Sequence, residues 1–187
     1  MNIKKSFKKI NIRLLKKNEK KIFSKIFRIR NQKNVRKNMY NNKTIKLQDH
    51  INWMNRQLID KRKKFYLINI LDDLAGLIIL SDIDIFHKRA DWAYYLSEKY
   101  QRGYGALIEF KFLDMFFKNK KFNKLNCEVL SFNKSVIKLH QRYGFKIEGF
   151  RRDHVFRNSI YMDAVMLGIT NREWRINRMK IKNILKI

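Results

Sequence analysis

Proline is absent from this 187-residue chain, glycine occurs six times and cysteine once. One cysteine excludes an intramolecular disulfide, and Cys127, inside "KLNCEVL", reads as a buried thiol on a strand rather than a reactive one. With no Pro/Gly/Ser tract, internal repeat or low-complexity stretch, nothing marks a linker. A single domain over residues 1–187 is expected, with its core at about 10–170 and a basic C-terminal helix at 171–187. A chain of this length buries about 70% of its unfolded surface and needs neither metal nor crosslink to fold. Also missing is any apolar run near the ~20 residues of a membrane helix; the longest, "LAGLIIL" at 74–80, is strand-sized. The basic N-terminal "MNIKKSFKKINIRLLKK" has no apolar core segment or small-residue cleavage site, so a cytoplasmic protein is expected.

Acidic residues are scarce: 16 Asp+Glu stand against 44 Lys+Arg, a net charge of +28. Such a balance raises nucleic acid, an anionic membrane surface or an acidic ligand as partners. The lysines, however, are spread through the chain among many Asn and Ile, a composition that A/T-rich coding over-supplies. A solvated surface shaped by compositional drift is the simpler reading, and a nucleic-acid partner is not expected. Basic blocks at 4–21 and 172–186 remain candidate arms. His87 and His154 lack carboxylate or thiol neighbours at ligand spacing, so no metal is expected.

Periodicity places a strand at "INIRLL", a helix at "NEKKIFSKIFRIRN" and a second helix at "HINWMNRQLID" capped by Asp49. "KFYLINIL" and "LAGLIILSDIDIF" form a hairpin turning at Asp72 and Asp73, and "ADWAYYL" is a further strand. Then come a largely apolar helix "ALIEFKFLDMFFKN", the strand "KLNCEVLSF" and the helix "NKSVIKLHQRY", with Asn133 as cap and Gly144 as stop. Two strands around a turn at Arg157 and Asn158, and a basic helix, close the chain. Mixed strands with helices between them give an α/β (α+β) sheet.

Two of the six glycines stand in "EKYQRGYGALIEF", between a strand and a helix. A helix start there leaves backbone N–H groups at the positive end of the dipole, and glycine lets that backbone approach an anion. Arg102 adds a forked charge. A phosphate cradle and a plain tight turn are both compatible with this feature alone. Gly103 and Gly105 fit neither the Walker nor the dinucleotide-binding spacing.

Arg102-Gly103-Tyr104-Gly105-Ala106, followed by Asn133, Leu139, Gly144-Phe145 and Glu148-Gly149, resembles the acyl-CoA signature of the GNAT acetyltransferases over roughly residues 10–170. The resemblance implies a mixed central sheet splayed at the cofactor site and flanked by helices, with acetyl-CoA as cosubstrate. Arg102, Gly103, Tyr104, Gly105, Ala106 and Leu107 would hold the pyrophosphate through their amides, Tyr95 and Leu96 the pantetheine and thioester, and Asn133 the pantetheine arm. Leu107 replaces the small residue that ends the family's pattern. The stretches "RIRNQKNVRKNMYN", "HINWMNR" and "EVLSFNKSVIKLHQRYGFKIEGFRRDHVFRNSIYMDAVMLGITNREW" resemble the acetyltransferases of pseudaminic acid biosynthesis. That implies a UDP-linked 4-amino-4,6-dideoxy sugar as acceptor, in a pathway that decorates flagellin.

Many relatives place a tyrosine acid where His140 stands, on one helical face with Val136 and Tyr143. His140 is either that acid, with Tyr143 as fallback, or a packed ring that orients the helix. Glu128, mid-strand, either takes the amine's proton through water or pairs with a neighbouring cation. Arg30, Asn31, Met39, Tyr40, His50 and Trp53 in the N-terminal arm form a candidate nucleotide grip, with Tyr94 and Trp92 lining the same cleft. Packing explains Met39 and Trp53 equally. Alternatives are a protein N-terminal acetyltransferase of the ribosomal type and a basic nucleic-acid-binding module on a degraded enzyme fold. A homodimer would pair through the C-terminal strands and helix.

Overall fold

A computed structural model describes residues 3–118 and 121–187. A short helix α1 (Ile3–Lys8) leads into β1 (Ile10–Leu14). The arm follows: a 3-10 turn at Lys20–Ile22, then α2 (Phe23–Arg30), α3 (Lys33–Arg36) and α4 (Leu47–Ile59). Phe23, Ile26 and Ile29 recur at helical spacing and are the buried residues of α2. The chain continues through β2 (Lys64–Ile70), β3 (Asp73–Asp84), β4 (Arg89–Leu96), α5 (Glu98–Lys118), β5 (Lys124–Leu130), α6 (Lys134–Arg142), β6 (Lys146–Arg157), β7 (Ile160–Thr170) and α7 (Asn171–Leu185).

The seven strands form one sheet in the order β1-β2-β3-β4-β5-β7-β6. Every neighbour pair is antiparallel except β4 and β5, which are parallel and joined by the crossover helix α5. One face is covered by α5, α6 and α7 over a core that includes Trp92, Ile108, Phe112, Tyr143 and Trp174. The opposite face carries the arm, over Phe23, Ile26, Met54, Phe65, Leu67 and Leu77. Cys127 is a buried free thiol on the first of these faces.

Several boundaries differ from the sequence reading. Asp49 does not cap α4: the helix starts at Leu47 behind Lys46, and Asp49 lies within its first turn, where a carboxylate complements the helix dipole. The first hairpin turns one residue earlier than expected, at Leu71 with φ 55°, so Asp73 already belongs to β3. The last hairpin turns one residue later, at Asn158 and Ser159, both at positive φ as a twisted two-residue turn demands. Asn119, the last residue expected in the long helix, lies outside the described residues. α7 starts from a capping box, Thr170 with Glu173, whose T-x-x-E spacing was readable in the sequence.

Candidate active site

The parallel strands β4 and β5 stay together for only three residues each. Arg89 to Asp91 pair with Lys124 to Asn126, and beyond them the strands part. β4 remains bonded to β3 through Leu96, and β5 to β7 through Leu130, so the divergence opens a wedge between them. Tyr95 and Leu96 end β4 on one arm of this fork, and Asn133 follows β5 on the other, at the N-cap of α6. Its side-chain oxygen makes no cap bond and accepts instead from Ser135 Oγ. Gly76 of β3 stands against Tyr95, where a Cβ would collide with the Tyr95 carbonyl oxygen. Only glycine lets β3 approach β4 there.

The junction after β4 is not the simple strand-to-glycine turn expected. A first helical turn, Glu98 to Gln101, precedes the glycines, and the helix then breaks: Arg102 has ψ 119° and Gly103 φ 85°. Helical geometry resumes at Tyr104, so a second helix start faces outward beside the exposed Arg102. Gly103 supplies the left-handed conformation that makes this break. Gly105 is not required by packing, since a Cβ there would meet only Tyr94 Oη at 3.7 Å. Tyr143 Oη donates to the Ala106 carbonyl at 2.5 Å, fixing the restart against α6. Leu107, the departure from the family pattern, is accommodated in the core. A fork of unpaired strand edges leading to a helix start and an arginine suits an amide-bearing chain that ends in a pyrophosphate.

His140 projects from α6 to the point where the fork opens. Its ring lies 5.7 Å from Trp92, the first β4 residue past the last paired one, and 5.1 Å from Phe145. Nδ1 is 2.8 Å from Oε1 of Glu109, a fully buried carboxylate on α5. Burial opposes charge on the ring, but Glu109 overrides it, with Cys127 reinforcing, and His140 is raised well above the ordinary histidine range. Tyr143, the fallback acid, donates to the Ala106 carbonyl, and burial pushes its phenol up.

Most of the residues expected on the acceptor side lie on the arm's face of the sheet. Tyr94 is not part of it: Tyr94 stacks on Trp92 at 5.1 Å, on the α5–α6 face. Strand alternation gives the arm's face to Tyr95 instead, which packs with Trp53 and Leu77. Arg30 carries a charge that acts on Tyr95, whose phenol burial pushes up, and burial lowers Arg30 itself. His50 is buried beside Trp53 and Phe27, and burial first, then Arg30, brings it down to about 4. Trp53 meets His50 and Phe65, so both rings pack the arm. Asn31 clasps the arm's loop, donating to the Ile45 carbonyl and accepting from its N–H.

Three guanidinium groups converge on residues 37–42. Arg30 donates to the Asn41 carbonyl, Arg36 to that of Asn42, and Arg157 of β6 to those of Lys37 and Met39. Among the described residues none of the three has a carboxylate partner. Tyr40 reaches His154 of β6, their rings 5.9 Å apart. Glu128 is paired, 3.3 Å from both Arg151 and His154, an arrangement compatible with its also taking a proton. Sequence reasoning missed Glu109, Arg36, His154 and Arg157. For Glu109 the available signal was a lone carboxylate inside "ALIEFKFL"; His154 and Arg157 meet a segment far away in the chain, which no local pattern marks, while Arg36 bonds within its own arm to Asn31 and Asn42.

An acetyltransferase (GNAT) domain model matches residues 10–146. The SPbeta prophage-derived N-acetyltransferase YokL of Bacillus subtilis is 30% identical over 128 residues, 67% of this chain and 71% of that one. Spermidine N(1)-acetyltransferase of Escherichia coli is 24% identical over 120 residues, 64% of each chain. Among solved structures, spermidine N-acetyltransferase of Vibrio cholerae in complex with CoA and spermine has a TM-score of 0.80 at 19% identity, over 90% of this chain and 99% of that one, a likeness of fold. This chain therefore belongs to the GNAT acetyltransferases, N-acetyltransferases that take their acetyl group from acetyl-CoA.

Proposed function

We propose that the acceptor is an amine carried on an anionic molecule, a UDP-linked 4-amino-4,6-dideoxy sugar of the kind acetylated in pseudaminic acid biosynthesis. The observation that carries this is the convergence of Arg30, Arg36 and Arg157 on one loop of the acceptor face, without a carboxylate among them. Arg30 Nη1 and Arg157 Nε are moreover buried without a partner, donors that a diphosphate would satisfy. A polyamine meets the reverse field. Two like charges about 4 Å apart repel by roughly 4 kcal/mol at an effective dielectric of ~20, which outweighs a typical polar contact.

In this reading the amides from Arg102 to Leu107 and the Arg102 side chain hold the pyrophosphate, while the β4 edge at Tyr95 and Leu96 and Asn133 opposite align the thioester in the fork. The arm, with Arg30, Asn31, Met39, Tyr40, His50 and Trp53, presents the amine from the other face. Alignment supplies most of the acceleration, about 7–11 kcal/mol in well-oriented systems. Glu128, steadied by Arg151 and His154, receives the amine's proton through water, and His140 protonates the leaving thiolate; such groups add roughly 10²- to 10⁴-fold. A thiol-release assay with acetyl-CoA tests the acceptor, comparing a UDP-linked 4-amino-4,6-dideoxy sugar, spermidine and a ribosomal N-terminal peptide. Turnover of the nucleotide sugar alone is expected; preference for spermidine would transfer to this chain the activity for which the Escherichia coli relative is named, and preference for the peptide would make it a protein acetyltransferase.

A further inference from the structure

We propose that Glu109 is a positioning residue for acetyl transfer: its buried carboxylate holds His140 by Nδ1 and keeps the ring charged, so that His140 is a ready proton donor to the departing thiolate. The inference rests on the reading of His140 as the acid and extends it to a residue with no contact to either substrate.

A purely structural role explains the pair poorly. Glu109 is 0% exposed and His140 3%, and Glu109 Oε2 is buried with no hydrogen-bond partner. A buried ion pair with an unsatisfied oxygen is a poor stabiliser, and apolar residues of similar size would fill the site as well or better. Its location is the second point. Asp91 and Asn126 are the last paired residues of β4 and β5; Trp92 and Cys127, the next on each strand, both neighbour the His140 ring. The charged ring thus stands at the apex of the fork, its Nδ1 engaged by Glu109 and its ring also hydrogen-bonded to the Cys127 side chain, so any proton it gives up leaves from Nε2. The titratable groups facing this cluster are Glu109 from α5, Cys127 from β5, Tyr94 from β4 and Tyr143 at the end of α6. Of these, Glu109 is the group whose negative charge opposes the cost of burying an imidazolium.

The step balances. The amine nitrogen bonds to the acetyl carbonyl carbon, and the C–S bond breaks with its electron pair left on sulfur. The Nε2 proton passes to that sulfur to give the free thiol. The amine's proton leaves by way of Glu128 to solvent, which recharges the imidazole.

Two measurements test this, one of them independent of any acceptor. In ¹⁵N-histidine NMR spectra, assigned with His140→Gln, the His140 ring is expected to stay imidazolium well above the pH at which an ordinary histidine loses its charge in the unaltered protein, and to become neutral at distinctly lower pH in Glu109→Gln. In steady-state kinetics, Glu109→Gln should lower kcat at about pH 8 by roughly ten-fold or more, leave KM for acetyl-CoA within about two-fold, and regain activity toward pH 6; Glu109→Asp should fall in between. A neutral His140 at pH 7 in the unaltered protein would overturn the proposal. So would a Glu109→Gln loss of the same factor at every pH, or a His140→Phe variant with undiminished kcat. If none of the amines offered is acetylated, the acceptor reading fails, while the NMR titration still decides whether Glu109 sets the charge of His140.

Discussion

Gly103 decides where the second helix start of α5 lies, because a left-handed residue at that one position converts a continuous helix into a stop and a restart. Replacing it with alanine forces a Cβ into φ 85°, at a cost of about 1–2 kcal/mol. Gly103→Ala should therefore lower the denaturation midpoint and raise KM for acetyl-CoA several-fold. Gly105→Ala should leave stability within about 0.5 kcal/mol, since its Cβ meets only Tyr94 Oη. Urea titration and initial rates check both, and equal stability losses in the two variants would remove the argument for Gly103. The glycine pair was legible in the sequence as marking a helix start, but the extra turn before it was not. Glu98 to Gln101 are helical because tertiary contacts hold them: Gln32 accepts from the Glu98 N–H, and Asn34 donates to Gln101. At Tyr94 and Tyr95 the period of two was equally visible, yet which tyrosine faces the arm depends on which side of the sheet the arm covers. No local pattern carries that information.

Among the elements, the arm and the β6–β7 hairpin are distant in sequence and meet through a few polar bonds. Arg157 Nη1 donates to two carbonyls of the loop at 37–39, its guanidinium lies 5.0 Å over Phe132, and Asn42 donates to Asn158. Arg157→Ala removes both carbonyl bonds and the stacking at once. The expected outcome is faster hydrogen exchange across residues 37–42 and an acceptor KM raised about ten-fold or more, with KM for acetyl-CoA unchanged, because the fork lies on other elements. Unaltered exchange in the loop would show that Arg157 does not hold the arm in place. The helices themselves were readable: α2 from its buried spacing, α6 from its amphipathic run up to Gly144, α7 from a basic pattern with a capping box. Their first residues were less so. Asp49 is a good cap by type, but Leu47 and Gln48 already adopt helical geometry ahead of it, and the carboxylate ends up inside the first turn.

At the scale of the whole molecule, a net charge of +28 surrounds a reaction whose donor is anionic. Such a field concentrates anions near the surface and speeds their arrival, and salt screens it within about 8–10 Å. Raising ionic strength from about 20 to 500 mM should lower kcat/KM for acetyl-CoA several-fold while kcat stays level, since chemistry in the fork is shielded from bulk ions. A flat kcat/KM would mark the charge as mere surface composition. Composition and patterning by themselves determined the mixed sheet, the run of elements from β1 to α7 apart from the short α3, the buried Cys127 and a glycine-marked helix start after β4, because each follows from local periodicity, turn chemistry and glycine's backbone freedom. Only the tertiary structure decided that β4 and β5 part after three paired residues, that Glu109 meets His140 across 31 positions, that Glu128 is paired with Arg151 and His154, and that three arginines from two segments share one loop. Those outcomes depend on how sheet faces are covered and which distant charges are buried together, energies that arise only once the chain has closed on itself.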